Sequence, residues 1–194
     1  MRSAVIERNT KETQIKISIN LDGEGKSNID TGIGFFDHML TSFSKHGLFD
    51  LDVKVIGDLK VDTHHTVEDT GIVLGMAINK ALGDKAQIER YGSFNMCMDD
   101  TFILAGCDLC GRGYFEMDYS FLTPKCGDFE TETTLEFFRA FASNALLNLH
   151  FKILRGNNAH HIIEAMFKSL GKILRDATAI NPRIKGIPST KGTL

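Results

Sequence analysis

HHTVED at 64–69 and HHIIEA at 160–165 are the two segments that decide the fold of this 194-residue chain. Each segment places two adjacent histidines before a glutamate and opens a stretch in which apolar residues recur at helical spacing. Upstream, GFFDHML at 34–40 matches EFFRAF at 136–141 in place. Both matching pairs occur in the same order, so the sequence indicates an internal duplication, with a repeat of about ninety residues that is too long for a solenoid unit.

Each half has the same predicted order of elements, which is strands, helix, strand, helix. After an edge-like first segment, the predicted strands cover 15–21, 51–55, 94–98, 102–108, 114–119 and 149–154. The predicted helices cover 35–43, 64–82, 137–146 and 160–177. The predicted fold class is α+β, an internally duplicated two-layer unit with helices on one face of each sheet. The repeats are placed at 1–90 and 91–186 in one compact pseudo-symmetric domain, followed by a C-terminal substrate-binding tail at 187–194.

The composition excludes several classes of protein. With 42% hydrophobic and 24% charged residues, the chain can bury a core but is too polar for a membrane protein. No segment approaches the roughly 18–20 apolar residues of a spanning helix, and the N-terminus has no apolar signal core, which predicts a cytoplasmic protein. The net charge of -3 argues against binding to nucleic acid or to an acidic membrane.

The paired histidines predict a metal centre. Successive helical residues are turned about 100° apart, so adjacent histidines suit two different ions, while a glutamate three or four residues later lies within reach of either histidine. Mixed histidine and carboxylate ligands favour Mn²⁺ or a similar octahedral ion over a closed zinc site. The first helix of each half adds His38 and Glu136. The candidate ligands are His38, His64, His65, Glu68, Glu136, His160, His161 and Glu164.

A structural role for the histidines is the alternative. A single pair near a helix start more often caps the helix or hydrogen-bonds within the core. A duplication can also copy a structural feature together with its sequence. Two pairs with matching glutamates nevertheless favour metal binding, because a chance repetition of H-H-x-x-E at matching positions is improbable.

Six motifs in order closely resemble the imidazoleglycerol-phosphate dehydratase family, the lyases of histidine biosynthesis. They are FFDHML (35–40), DTHHTVEDTGI (62–72), RYG (90–92), GRGY (111–114), GNNAHHIIEAMFKSL (156–170) and PSTKG (188–192). The resemblance spans nearly the whole chain and is to the single-function form, without a fused phosphatase. It implies a duplicated α+β unit, assembly into a 24-subunit shell, and sites with two Mn²⁺ ions between subunits.

The resemblance also implies how the ligands are shared. One ion would take His38, His65, His160 and Glu164, and the other would take His64, Glu68, His161 and the residue at 136. Some members have histidine at that last position, where this chain has Glu136. A carboxylate is a competent Mn²⁺ ligand, so we expect the site to survive this change. Thr63 and Gly113 are two smaller departures, and neither removes a ligand.

The implied reaction removes water from D-erythro-imidazole glycerol phosphate and yields imidazole acetol phosphate. A proton acceptor is needed beside the imidazole ring, and we assign that role to Glu12, which the resemblance places at the substrate. Guanidinium and hydroxyl donors suit phosphate oxygens. The residues expected at the substrate are Glu12, His46, Arg90, Arg112, Lys168, Ser189, Thr190 and Lys191.

Two other functions remain open at this point. A dinuclear metallohydrolase acting on a phosphate ester would keep the metals and release inorganic phosphate, although such sites are commonly rich in aspartate. A non-catalytic metal-storage or sensor protein would leave Glu12, Arg90, Arg112 and Lys191 without a role.

Overall fold

The computed structural model describes residues 2–194, which form ten strands and four helices. The first half contains β1 (Ser3–Asn9), β2 (Thr13–Asn20), β3 (Ser27–Asp30), α1 (Gly34–Gly47), β4 (Asp50–Gly57) and α2 (His64–Leu82). The second half contains β5 (Tyr91–Met98), β6 (Thr101–Asp108), β7 (Tyr114–Met117), β8 (Lys125–Cys126), β9 (Phe129–Glu130), α3 (Thr133–Ala145), β10 (Asn148–Arg155) and α4 (Ala159–Thr178).

The two halves form two four-stranded sheets with the same topology. The strand order is β1-β2-β4-β3 in the first sheet and β5-β6-β10-β7 in the second. In each sheet the last strand pairs parallel with its neighbour, and the helix between these two strands, α1 or α3, makes the crossover that a parallel pair requires. The α+β duplicated fold predicted from the sequence is therefore confirmed.

Helices cover one face of each sheet. Along β2 and β4, buried residues alternate with exposed ones, as expected for strands that pack on one face only. Helix α2 packs on β1, β2 and β4, and α4 packs on β5 and β6. No helix within residues 2–194 is long and apolar enough to cross a membrane.

The helices of the two halves also pack against each other, α2 on α3 and α1 on α4. Glycine permits close approach at both crossings. A Cβ added to Gly75 in α2 would lie 2.6 Å from the Phe141 carbonyl oxygen, and one added to Gly171 in α4 would lie 2.5 Å from that of Phe43. The two crossings use matching positions, so the duplication extends to the contacts between the halves.

The helix ends repeat as well. Helices α1 and α3 both end at a leucine in the left-handed conformation, Leu48 with φ 58° and Leu146 with φ 54°. This conformation usually favours glycine, because a Cβ there is sterically costly. In both cases the backbone N–H of the leucine donates to a carbonyl of the last helical turn, Ser44 or Ala142.

The structure adds two features that the sequence pattern did not predict. Strand β3 was missed because SNID lacks alternating apolar residues and three of its four residues are exposed. The β8–β9 hairpin was missed because each of its strands has only two residues. The predicted helix at 160–177 runs from Ala159 to Thr178. The boundaries of the two repeats and of the tail stay predictions.

Candidate metal centre and substrate site

Three candidate ligands from α1 and α4 lie together. The Nε2 atom of His38 is 3.5 Å from Glu164 Oε1, and the Nε2 atom of His160 is 3.3 Å from Glu164 Oε2. One potential ligand atom from each of the three residues lies within 4.8 Å of those of the other two. Within residues 2–194, no other three histidine, cysteine, aspartate or glutamate side chains meet this condition. Glu164 is buried, whereas the two histidines are exposed on its open side.

Local contacts hold this group in place. Asn158 caps α4, its side chain accepting hydrogen bonds from the backbone N–H groups of His160 and His161. Lys168 Nζ lies 2.8 Å from Glu164 Oε1, one helical turn further along. Burial raises the pKa of Glu164, but the hydrogen bond and charge of Lys168 outweigh it and leave the pKa below its usual value. Glu164 is therefore an anion available to a cation.

At the start of α2 the two histidines have different partners. His64 Nε2 lies 3.4 Å from Glu68 Oε2. His65 turns away, with Nδ1 2.9 Å from Asp58 Oδ2 and Nε2 3.9 Å from Glu12 Oε1. The hydrogen bond that the His65 ring donates to the Asp58 carboxylate raises the pKa of His65. Of the two histidines within predicted reach of Glu68, only His64 contacts it.

His161 at the start of α4 has a matching arrangement. Its Nδ1 lies 2.7 Å from Asp100 Oδ1, and its Nε2 lies 3.6 Å from Asp99 Oδ2. Asp100 also accepts hydrogen bonds from the backbone N–H groups of Asn157 and Asn158, which together with His161 hold the pKa of its carboxyl group well below the usual range. Asp100 therefore fixes both the histidine ring and the start of the helix.

Asp58 and Asp100 were missed by the sequence reasoning. Each carboxylate contacts Nδ1 of the second histidine in a pair, so Nε2 is the ring nitrogen left for another ligand. Metal-ligating histidines commonly have such a carboxylate on the other ring nitrogen, where it fixes tautomer and orientation. The one signal in the sequence is their position, since Asp58 directly follows β4 and Asp100 lies in the β5–β6 turn.

The two predicted ligand sets are only partly assembled in one chain. In the first set, His38, His160 and Glu164 are together, whereas His65 lies with Asp58 and Glu12. In the second set, His64 contacts Glu68, whereas His161 lies beside Asp99 and Asp100. Glu136 is held by Arg139, with Nη1 2.7 and 2.8 Å from its two carboxylate oxygens.

The β1–β2 turn that carries Glu12 is anchored beneath its tip. Buried Thr13 donates a 2.5 Å hydrogen bond to Asp69, which lies next to Glu68 in α2. Arg8 Nη1 lies 2.7 Å from the same carboxylate oxygen. The Glu12 side chain itself is 55% exposed and lines a shallow pocket of about 250 Å³. The anchored turn thus presents an exposed carboxylate beside His65.

The C-terminal tail lies beside two of the predicted phosphate-binding arginines. Arg90 pairs with Asp108 and donates a 2.9 Å hydrogen bond from Nη1 to the Pro188 carbonyl oxygen. Leu194 packs so closely on Gly111 that a Cβ added to Gly111 would lie 2.4 Å from the carbonyl carbon of Leu194. The turn at 189–192, with Ser189, Thr190 and Lys191, is thereby placed near Arg90 and the exposed Arg112.

The other two predicted substrate residues, Lys168 and His46, are elsewhere. Lys168 Nζ lies 3.8 Å from the sulfur of Met98, the last residue of β5, whereas Arg90 directly precedes that strand. Eight extended residues span about 26 Å, so Arg90 and Lys168 of one chain cannot contact the same phosphate group. Burial and the charges of Lys168 and Lys172 lower the pKa of His46.

Comparisons with known proteins agree on one family. Residues 31–174 match the family model described as imidazoleglycerol-phosphate dehydratase. A protein of that name from Clostridium acetobutylicum is 58% identical over 193 residues, which cover 100% of this chain and 98% of the relative. Another, from Streptococcus mutans, is 56% identical over 194 residues and 100% of both chains.

Solved structures of the same name share the fold. The Staphylococcus aureus imidazoleglycerol-phosphate dehydratase has a TM-score of 0.84 at 38% identity, over 92% of this chain and 99% of the other. The Pyrococcus furiosus structure, in complex with (S)-C348, has a TM-score of 0.84 at 36% identity, over 97% and 100%. With relatives above half identity along its full length and this shared fold, the chain belongs to the imidazoleglycerol-phosphate dehydratase family, the lyases of histidine biosynthesis.

Proposed function

We propose that this chain dehydrates D-erythro-imidazole glycerol phosphate to imidazole acetol phosphate plus water, with two Mn²⁺ ions per active site. The observation that carries the proposal is the convergence of His38, His160 and Glu164 from two helices of different halves. The family membership of the chain supports the reaction, and the donor chemistry supports the metal.

The residues present fit Mn²⁺. Imidazole nitrogen and carboxylate oxygen are ligands that this ion accepts in octahedral sites, and the buried anion Glu164 supplies negative charge. Asp58 and Asp100 orient the rings of His65 and His161, as the outer contacts of a metal centre do. When bound, Mn²⁺ would act as a Lewis acid toward the imidazole ring of the substrate.

The remaining roles fall to side chains of the chain. Glu12, an exposed carboxylate on an anchored turn, would accept the substrate proton. The C-terminal tail contributes Ser189, Thr190 and Lys191, and it lies beside Arg90 and Arg112. Together these residues would bind the phosphate group. The tail would thus close over the phosphate end of the substrate, with Glu12 acting at the other end.

We further propose that the active site forms between copies of the chain in a homo-oligomer, with the 24-subunit shell as the expected assembly. Two observations support this. The predicted ligand sets are incomplete within one chain. In addition, Lys168 contacts Met98 at the end of β5, about 26 Å along the strand from Arg90. A second copy would bring Lys168 and His46 to the phosphate held by Arg90 and the tail.

The test is an assay of the purified protein with imidazole glycerol phosphate and Mn²⁺. We expect imidazole acetol phosphate to form only when the metal is present, with a native mass near that of a 24-subunit shell and about two Mn²⁺ per chain. Release of inorganic phosphate would instead identify a metallohydrolase. Bound metal without turnover would point to a storage or sensor protein, and neither result is compatible with the proposal.

Glu136 provides a second test, because its assignment as a ligand depends on the match at one position. We expect Glu136→His to keep both metal and activity, and Glu136→Ala to lose about one of two Mn²⁺ ions per chain. Metal analysis after dialysis measures this, with Arg139→Ala as the matched control because it removes the partner of Glu136 and leaves the carboxylate. Unchanged metal content in Glu136→Ala would exclude this residue from the site.

A further inference from the structure

The β8–β9 hairpin belongs to the second half by sequence, yet its carboxylates contact the first half. The hairpin consists of Lys125–Cys126 and Phe129–Glu130, joined by a turn in which Gly127 has φ 62°. It forms a sheet of its own, and the first half has no equivalent sheet within the part of the chain that the structure describes. It is therefore an addition to the duplicated plan.

Asp128 and Glu130 bind the starts of both helices that carry ligands in the first half. Asp128 accepts hydrogen bonds from the first two backbone N–H groups of α1, those of Gly34 at 2.7 Å and Phe35 at 3.2 Å. Glu130 Oε2 accepts from the backbone N–H and the hydroxyl of Thr63, at 3.2 and 2.5 Å. Carboxylates stabilise helix starts, because the first N–H groups lack partners within the helix and the helix dipole is positive there.

Helix α1 has no side-chain cap of its own, whereas in α2 the backbone N–H of His64 donates a 2.9 Å hydrogen bond to Asp62. The N-cap residues Ile33 of α1 and Thr63 of α2 make no capping hydrogen bond with their side chains. Helix α4 differs, because its neighbouring residue Asn158 caps it. Helix α1 therefore obtains from the hairpin what α4 obtains locally, and in α2 Glu130 adds to the local contact of Asp62.

A packing contact reinforces these hydrogen bonds. Phe129, between the two carboxylates, is fully buried with its ring 5.3 Å from that of Phe35 and 5.8 Å from that of Phe36. Phe35 in turn meets His160 edge to face at 5.0 Å. One short hairpin thus contacts the start of α1, the start of α2 and, through Phe35, a candidate ligand on α4.

We propose that the β8–β9 hairpin is a positioning element for the metal centre. Asp128 and Glu130 hold the first turns of α1 and α2 at a fixed separation, and thereby set where His38 and His64 stand relative to His160. Both carboxylates bind groups at the starts of α1 and α2 and would act through these helices, so we class them as positioning residues. The inference rests on the proposed metal centre.

The test is titration of the metal-stripped full-length protein with Co²⁺ alone, followed by its visible absorption spectrum. We expect Asp128→Ala to weaken Co²⁺ binding by about tenfold or more, the usual effect of losing an orienting contact, and to shift the absorption bands. Asp128→Asn should restore both, because asparagine caps helices as well as aspartate does. Glu132→Ala, a nearby exposed carboxylate, is the matched control.

Several outcomes separate this inference from the proposed function. A lower melting temperature in Asp128→Ala with an unchanged Co²⁺ affinity and spectrum would overturn the positioning role. If Asp128→Ala does not fold, Asp128→Glu is used instead, because glutamate keeps the charge but its longer side chain displaces the start of α1. Unchanged Co²⁺ binding in Asp128→Glu would again overturn the positioning role. His38→Ala is measured in parallel. If His38→Ala still binds the full number of Co²⁺ ions with unchanged affinity, the metal centre itself is contradicted. If one ion is lost there but both are kept unchanged in Asp128→Ala and Glu130→Ala, only the role of the hairpin is contradicted.

Discussion

Replacing Glu12 by glutamine is expected to lower kcat by about 10²–10⁴-fold, the usual contribution of a general base. Glutamine keeps the size and hydrogen-bonding shape of the side chain but cannot accept a proton. The turn itself should stay in place, because Thr13, Asp69 and Arg8 anchor it beneath the tip. Steady-state kinetics with imidazole glycerol phosphate measures the effect.

Metal content distinguishes a proton acceptor from a ligand at this position. Glu12 Oε1 is 3.9 Å from His65 Nε2, so both roles are geometrically accessible. We expect Glu12→Gln to retain its Mn²⁺ and to change KM little. Glu7→Gln, an exposed glutamate on β1, is the matched control and should retain full activity. Activity of Glu12→Gln within a few-fold of the unaltered protein would exclude Glu12 as the base.

Replacing Glu164 by glutamine is expected to cost about one of two Mn²⁺ ions per chain and about a thousandfold in kcat. Glu164 is the shared partner of His38 and His160 and is the buried anion of the group. Lewis-acid assistance is worth several kcal/mol, and each ~1.4 kcal/mol corresponds to tenfold in rate. Metal analysis of the dialysed protein and kinetics at saturating substrate measure the two effects.

The fold should tolerate this change, which makes the result interpretable. Glutamine can still accept a hydrogen bond from Lys168, whose Nζ lies 2.8 Å from Glu164 Oε1. Asp176→Asn is the control, because it removes a carboxylate about 18 Å further along the same helix. We expect similar melting temperatures for all three metal-free proteins. If Glu164→Gln binds two Mn²⁺ ions as tightly as the unaltered protein, the group around Glu164 is not a metal centre.

The elements that follow from periodicity were predictable. Alternation along β2 and helical spacing over 64–82 placed a strand and a helix correctly, because burial on one face leaves a direct pattern in the sequence. Helix α1 and the matching α3 followed from their phenylalanine pairs. Strand β3 did not, since its residues are mostly exposed and its place is set by pairing with β4.

The site was predictable in residue type and less so in its contacts. The doubled histidine motif identified candidate donors because helical spacing links His64 to Glu68 and His160 to Glu164, and both pairs are in contact. The roles of Asp58 and Asp128 depend on distant backbone atoms and rings that no local spacing encodes. Family resemblance named Arg90 as a phosphate contact, but its partner Asp108 emerged only from the fold.

The glycine contacts at Gly75 and Gly171 have a consequence for how the chain arose. Their crossings are equivalent, so two identical ancestral half-chains would have associated as a symmetric dimer through the same helix faces. Joining the halves in one gene removed the requirement that both stay identical. The copies could then diverge, with His38 in one where the other has Glu136, and with a hairpin in the second half that contacts the first. A fusion of this kind converts a symmetric pair of chains into one chain whose two halves differ.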